Sequence, residues 1–174
     1  MSDFYTKGNL KLLNYPSTGL FCSGKCPGEL ILKTYDLALT WRDDFRAVTS
    51  GFHSPMEKEC LNLLLKGGGG IIICPARGIW KRLPGEWKPA IIKGRLLIVS
   101  SFPPEAIRAS AVQSVQRNVL VGKLSKDIFV TYARPGGKLE LLCQEWIRQG
   151  KQILTFKSDY TQNLLTMGAT ILDC

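Results

Sequence analysis

Short apolar runs recur along this chain, each followed by a longer stretch with helical spacing. Leu20-Phe21-Cys22, Arg46-Ala47-Val48-Thr49, Ile71-Ile72-Ile73-Cys74, Leu96-Leu97-Ile98-Val99, Ile128–Thr131 and Gln152–Phe156 read as strands. The wholly apolar runs among them are of the kind that parallel sheets bury on both faces. After Pro27, a helix is predicted from Gly28 to Asp43, with Leu30, Thr34, Leu37, Ala38 and Trp41 on one face. Ser54-Pro55-Met56-Glu57 is a strong helix start: serine caps, proline takes the first turn and glutamate returns three residues on. Met56, Cys60, Leu63 and Leu64 give that helix its apolar face, and Gly67-Gly68-Gly69-Gly70 ends it. Helical character is expected near Glu86–Lys93. A longer helix is expected from about Glu105 to Leu124, burying Val112, Val115 and Val119, and another over Gly137–Gln149. A short Asn163–Met167 helix and an Ala169–Leu172 strand close the pattern. Residues 1–18 are polar and mixed and read as an N-terminal arm; residues 19–174 read as one domain. Strands alternating with helices in this way specify an α/β fold, a Rossmann-like three-layer sandwich with a mostly parallel sheet.

Charge adds a partner class. Lys and Arg number 23 against 14 Asp and Glu, a net charge of +9, which attracts polyanions without saying anything about fold. Part of the excess lies in one connection, where Arg77, Lys81, Arg82, Lys88, Lys93 and Arg95 are interleaved with Trp80 and Trp87. Cations among aromatics suit single-stranded nucleic acid, whose phosphates are neutralised while its bases stack. The same tryptophans would equally serve to anchor a long connection on the core. No run approaches the ~20 apolar residues of a membrane span, and the N-terminus has no secretory pattern, so a cytoplasmic protein with no membrane partner is expected. Cys22, Cys60, Cys74 and Cys143 sit in apolar runs as small hydrophobes, and all six cysteines, with Cys26 and Cys174, are expected to be reduced.

Two turns following predicted strands look suited to phosphate. Ser50-Gly51-Phe52-His53-Ser54-Pro55 follows Ala47-Val48, and Arg134-Pro135-Gly136-Gly137-Lys138 follows Ile128-Phe129-Val130. Glycine lets backbone approach a ligand, and a helix start offers unpaired N–H groups and a positive dipole end. A helix carrying Arg117-Asn118 lies between them in sequence. At the carboxyl ends of neighbouring strands these elements would frame a nucleotide or polyanion site. The expected binding set is Lys25, Ser50, Gly51, His53, Arg117, Asn118, Arg134, Gly136, Gly137 and Lys138, with Gly51, Gly136 and Gly137 offering backbone N–H groups. Arg77, Lys81 and Arg82 would extend the track.

Other chemistries find less support. Gly19-Leu20-Phe21-Cys22-Ser23-Gly24-Lys25-Cys26 nearly spells a P-loop, but its apolar residues belong to a strand and Cys26 replaces the magnesium-binding hydroxyl. No G-x-G-x-x-G follows the first predicted strand, and His53 is the only histidine, which leaves no convincing catalytic triad. Cys22 and Cys26 lack the second ligand pair a zinc site needs. No metal, cofactor or catalytic residue is therefore assigned.

Pro135-Gly136-Gly137 is similar to the start of the P-G-G-x-G-T-x-x-E motif of the "lonely guy" phosphoribohydrolases. Cys143 stands where that family has its catalytic glutamate, and Glu140 lies one helical turn earlier. Taken in order, the motifs more closely resemble the Rossmann-like domain of the DprA/Smf DNA-processing family. Thr49-Ser50-Gly51 resembles the start of its SG-x-A-R-G-I-D turn, and Leu97-Ile98-Val99-Ser100-Ser101-Phe102-Pro103-Pro104 resembles LLSEFPP. Gln116-Arg117-Asn118-Val119-Leu120-Val121-Gly122-Lys123-Leu124-Ser125 resembles R-R-N-R-I-I-A-G-L-S. Arg134-Pro135-Gly136-Gly137 falls at the family's SGS turn, and Asn163-Leu164-Leu165 with Gly168-Ala169 resembles its closing segment. Phe52–Glu57 replaces the arginine-bearing half of the first turn, Val119 replaces the second arginine of R-N-R, and Tyr132 stands near a strand-end glutamate of the family.

The resemblance implies a divergent, single-domain DprA-like protein that binds single-stranded DNA and hands it to a strand-exchange recombinase during DNA uptake. The absence of a positioned catalytic carboxylate favours binding over turnover. The alternative is a small-nucleotide sensor or phosphoribohydrolase-like enzyme using the same crevice. A homodimer through a sheet edge is compatible with either.

Overall fold

The computed structural model describes residues 3–173; Met1, Ser2 and Cys174 lie outside the described residues. An eight-stranded sheet forms the middle layer, built from β1 (Tyr5–Gly8), β2 (Thr18–Phe21), β3 (Val48–Ser50), β4 (Ile71–Ile73), β5 (Leu96–Ser100), β6 (Asp127–Val130), β7 (Ile153–Thr155) and β8 (Thr170–Ile171). Their spatial order is β1-β5-β4-β3-β2-β6-β7-β8, and every pairing is parallel except β1 with β5. The mostly parallel three-layer sandwich expected from the alternation of elements is present. Tyr5–Gly8, within the segment read as an arm, is the antiparallel edge strand, with Tyr5 opposite Ser100 and Gly8 opposite Leu97.

The strands alternate between two cores, which is why their sequences read as continuously apolar. On one face Leu20, Ile71, Ile73, Leu96, Ile98 and Phe129 meet α1 (Gly28–Asp43), α2 (Pro55–Leu65) and α3 (Lys88–Ile92). On the other, Phe21, Ile72, Leu97, Val99, Ile128 and Val130 meet α4 (Ala111–Leu124), α5 (Lys138–Arg148) and α6 (Gln162–Met167). The buried faces predicted for α1 and α2 are the observed ones.

The α4 prediction requires correction. The helix starts at Ala111, where the Ser110 side chain accepts from the Gln113 N–H at 3.2 Å as a cap; upstream, the Ala106 N–H closes a turn on the Pro103 carbonyl at 2.9 Å and the Ala106 carbonyl accepts from the Gly78 N–H at 2.8 Å. Val112 is 69% exposed and Val119 39% exposed; the buried residues are Arg117, Leu120, Val121 and Gly122. The valine spacing is helical, but Leu120 and Val121, not Val112 and Val119, pack into the core beneath the sheet.

Candidate functional site

From β2 the chain moves outward through β3, β4 and β5, and then returns to place β6 on the other side of β2. The β2/β6 boundary is thus the topological switch point, where loops leaving the carboxyl ends diverge and open a crevice. A cleft of about 910 Å³ lies there, lined by Lys25, His53, Arg117, Asn118, Arg134, Gly136, Gly137 and Lys138 among others. Eight residues singled out from sequence therefore converge. Its charged lining is four cations, Lys25, Arg117, Arg134 and Lys138, against one carboxylate, Glu57.

Lys25 sits in the loop after β2, Arg134 in the turn after β6, and Lys138 at the first position of α5. That turn is held by its own hydrogen bonds. The Gly137 N–H donates to the Arg134 carbonyl at 2.9 Å, and the Gly136 N–H donates to Glu140 Oε1 at 3.1 Å. The two glycine amides expected to hold phosphate are thus already engaged. Gly136 has φ +73°, the left-handed geometry that the reversal requires. Glu140, whose second carboxylate oxygen accepts from Asn163, is a clamp on the turn and does not line the cleft. What remains for an anion is the α5 N-terminus itself, which has no side-chain cap and opens beside Lys138 and Leu139.

The turn after β3 differs. Ser54 and Glu57 form the predicted capping box, but the Glu57 carboxylate reaches further. It accepts from the backbone N–H groups of Cys22 at 2.9 Å, His53 at 2.9 Å and Ser54 at 3.3 Å. A side-chain anion therefore fills the nest of amides between the β2 and β3 ends. The sequence signal for Glu57 was its capping position; nothing local disclosed that it also bridges to Cys22.

Arg117 is the most buried cation of the cleft. It is only 6% exposed, its Nε donates to Asn118 Oδ1 at 2.7 Å, and its guanidinium lies flat against the backbone of Gly51. A Cβ at Gly51 would lie 2.5 Å from Cζ of Arg117, so glycine is needed for close approach. Burial pulls the Arg117 pKa down from its usual value, while neighbouring Glu57 and Cys74 act in the opposite direction. An arginine retains its charge through such a shift.

The remaining expected residues lie elsewhere. Ser50 is fully buried, donating to the Leu20 carbonyl at 2.8 Å and accepting from the Phe52 N–H, so it shapes the turn from beneath. Arg77 lines a neighbouring cavity that shares His53 and Arg117 with the cleft. Arg82 faces another hollow with Lys7 and Lys88, while Lys81 is exposed and lines neither cavity. Arg95 is buried and donates to the carbonyls of Leu64, Leu65 and Gly69, tying off the end of α2. The loop tryptophans divide: Trp87 is part of the core, whereas Trp80 is half-buried against it.

The fold matches known structures. A DNA processing protein A from Streptococcus pneumoniae superposes with a TM-score of 0.79 at 18% identity, over 97% of this chain and 62% of that one. The Helicobacter pylori protein, studied for its single-stranded DNA binding mode, gives 0.78 at 19% identity over 97% and 80%. This chain has a DprA-like fold. The DprA-like chain thus spans less than two thirds of the pneumococcal protein's length. A molybdenum cofactor carrier protein from Chlamydomonas reinhardtii shares the architecture more distantly, with a TM-score of 0.60 at 11% identity over 91% of this chain and 89% of that one. No protein-family model matches the sequence, and no curated protein matches it significantly. Among the described residues, no helix of the DprA-like chain is long and apolar enough to cross a membrane.

Proposed function

We propose that this chain binds single-stranded DNA along the carboxyl-terminal rim of its sheet, as a non-catalytic DNA-processing protein of the DprA type. The convergence of Lys25, Arg117, Arg134 and Lys138 on one cleft, beside the uncapped start of α5, carries the reading. Cations arrayed around a groove neutralise successive phosphates and release counterions, so affinity falls as salt rises. By likeness to the DprA proteins, the chain acts in the cytoplasm in DNA uptake and recombination. Its partner there is a strand-exchange recombinase, with homodimerisation through a sheet edge.

The test is anisotropy of a labelled single-stranded oligonucleotide at low and moderate salt. Binding that weakens with salt and is lowered further by Arg117→Ala is expected; salt-independent affinity would overturn the phosphate-track reading. A second reading takes a free nucleotide in the same crevice. Its support is the cleft's size, about 910 Å³, together with a fold shared with a small-cofactor carrier. One mononucleotide that raises the melting temperature and displaces the oligonucleotide would favour that alternative.

A further inference from the structure

Beside the cationic cleft, across the wall made by His53 and Arg117, lies a second cavity of about 560 Å³ at the ends of β3 and β4. Its character is different. Phe52, Ala76, Trp80 and Trp87 form its apolar floor and sides, with the two indoles edge-on at 5.5 Å. The Arg77 guanidinium lies over the Trp80 ring, 5.4 Å from its centroid. Charges at this cavity are mixed, with Lys58, Arg77 and Arg117 against Glu59 and Glu86, so it lacks the cationic bias that phosphate requires.

We propose that this second cavity is a nucleobase subsite, in which Trp80 and Arg77 provide the stacking surface for a base whose phosphate lies in the adjoining cleft. The inference rests on the nucleic-acid reading above and deepens it. An indole and a planar guanidinium are the two surfaces on which unstacked bases rest. The Asn62 amide and the Glu59 carboxylate, which line the same cavity from α2, supply the donors and acceptors that base edges require. Trp80 is the half-buried indole of the pair; Trp87 is held in the core. The sheet rim thereby separates two tasks: cations at the β2/β6 end hold the backbone, and aromatics at the β3/β4 end hold a base. A strand and a free nucleotide would both present that base.

The experiment compares an oligo-deoxythymidine with an abasic oligomer of the same length, against wild type, Trp80→Ala, Trp80→Phe and Arg117→Ala. Wild type is expected to bind the base-bearing oligomer more tightly. Trp80→Ala should remove most of that preference, roughly tenfold, leave abasic binding unchanged, and be largely rescued by Trp80→Phe. Arg117→Ala should weaken both oligomers. Equal binding of the two oligomers by wild type, or equal loss of both on Trp80→Ala, overturns the subsite while leaving the phosphate track standing. If neither oligomer binds, the DNA reading fails and thymidine and adenosine monophosphates decide the subsite. Tryptophan quenching by either that Trp80→Phe abolishes sustains it for a free nucleotide; no such quenching overturns it.

Discussion

The backbone N–H of Cys22, just past β2, donates to the Glu57 carboxylate in the first turn of α2 at 2.9 Å. This bond joins two crossovers and sets a negative charge in the floor of a cleft otherwise lined by cations. Glu57 is thus both a structural clasp and an internal competitor for any bound phosphate. Replacing it should separate the two roles. Glu57→Ala strips three amides of their acceptor and breaks the capping box, and should cost about 2–4 kcal/mol of stability, read from urea denaturation. Glu57→Gln keeps the outline but turns an NH2 donor toward at least one of these amides, so it also loses part of the clasp; in the folded variant, oligonucleotide binding should tighten several-fold at low salt. If the Gln variant binds no better than wild type, the carboxylate does not compete with ligand.

Gly51→Ala tests the seat of Arg117. The added methyl would collide with a buried guanidinium, and the side chain must move or the turn must shift. A destabilisation of about 1–3 kcal/mol is expected, together with a loss of oligonucleotide affinity matching that of Arg117→Ala. Unchanged affinity in a folded Gly51→Ala protein would show that the position of Arg117 is unimportant for binding.

Lys138 predicts a salt slope. A lysine contacting one phosphate of a single strand contributes about 0.7 to the slope of log affinity against log salt. Lys138→Ala should weaken binding and flatten the slope by about that amount, in titrations at several salt concentrations. A weaker affinity with an unaltered slope would assign Lys138 a role other than phosphate neutralisation.

The cysteines predict behaviour in alkali. Burial pushes the thiols of Cys60, Cys74 and Cys143 each up to about 12, from an ordinary value of 9.0. Above pH 9 the unfolded chain therefore loses protons that the folded chain keeps, and the unfolded state gains stability until about pH 12. Urea midpoints should fall as pH rises through that window; a flat profile would count against three buried protonated thiols. Cys26 behaves oppositely: the neighbouring Cys22 thiol lowers its pKa, and as the less buried of the two it should be alkylated in the native protein before the buried thiols. Peptide mapping after brief alkylation at neutral pH gives the order.

Gly122 predicts a packing cost. A Cβ there would lie 2.6 Å from the Trp146 indole nitrogen, at the contact between α4 and α5. Gly122→Ala gains helix propensity of up to about 1 kcal/mol but overpacks a buried ring, and a net destabilisation of about 1–2 kcal/mol is expected by thermal melting. A stabilised variant would mean that α5 can shift freely.

The residue pattern alone was enough for the layers and for most of the crevice. Continuous apolar runs such as Ile71–Ile73 and Leu96–Val99 can be satisfied only between two helical layers, and Ser54-Pro55-x-Glu57 can start a helix through contacts within four residues. Loops following parallel strands all emerge at the carboxyl-terminal rim, which is why Lys25, His53, Arg134 and Lys138 could be grouped before their geometry was known. What adjacency in the chain does not encode was decided by tertiary packing. The rotation of α4 depends on which of two overlapping apolar stripes the sheet accepts, and it buried Arg117 while exposing Val112. The strand pairing of Tyr5–Gly8 depends on the free edge of β5, where Tyr5 meets Ser100 and Gly8 meets Leu97. The engagement of Gly136 by Glu140 and of Cys22 by Glu57 depends on where side chains reach once helices are docked. Local sequence governs the helices because their hydrogen bonds and caps are local, and it marks the strands through their runs of apolar side chains; the occupancy of each amide at the cleft is set by contacts that exist only after the sheet has assembled.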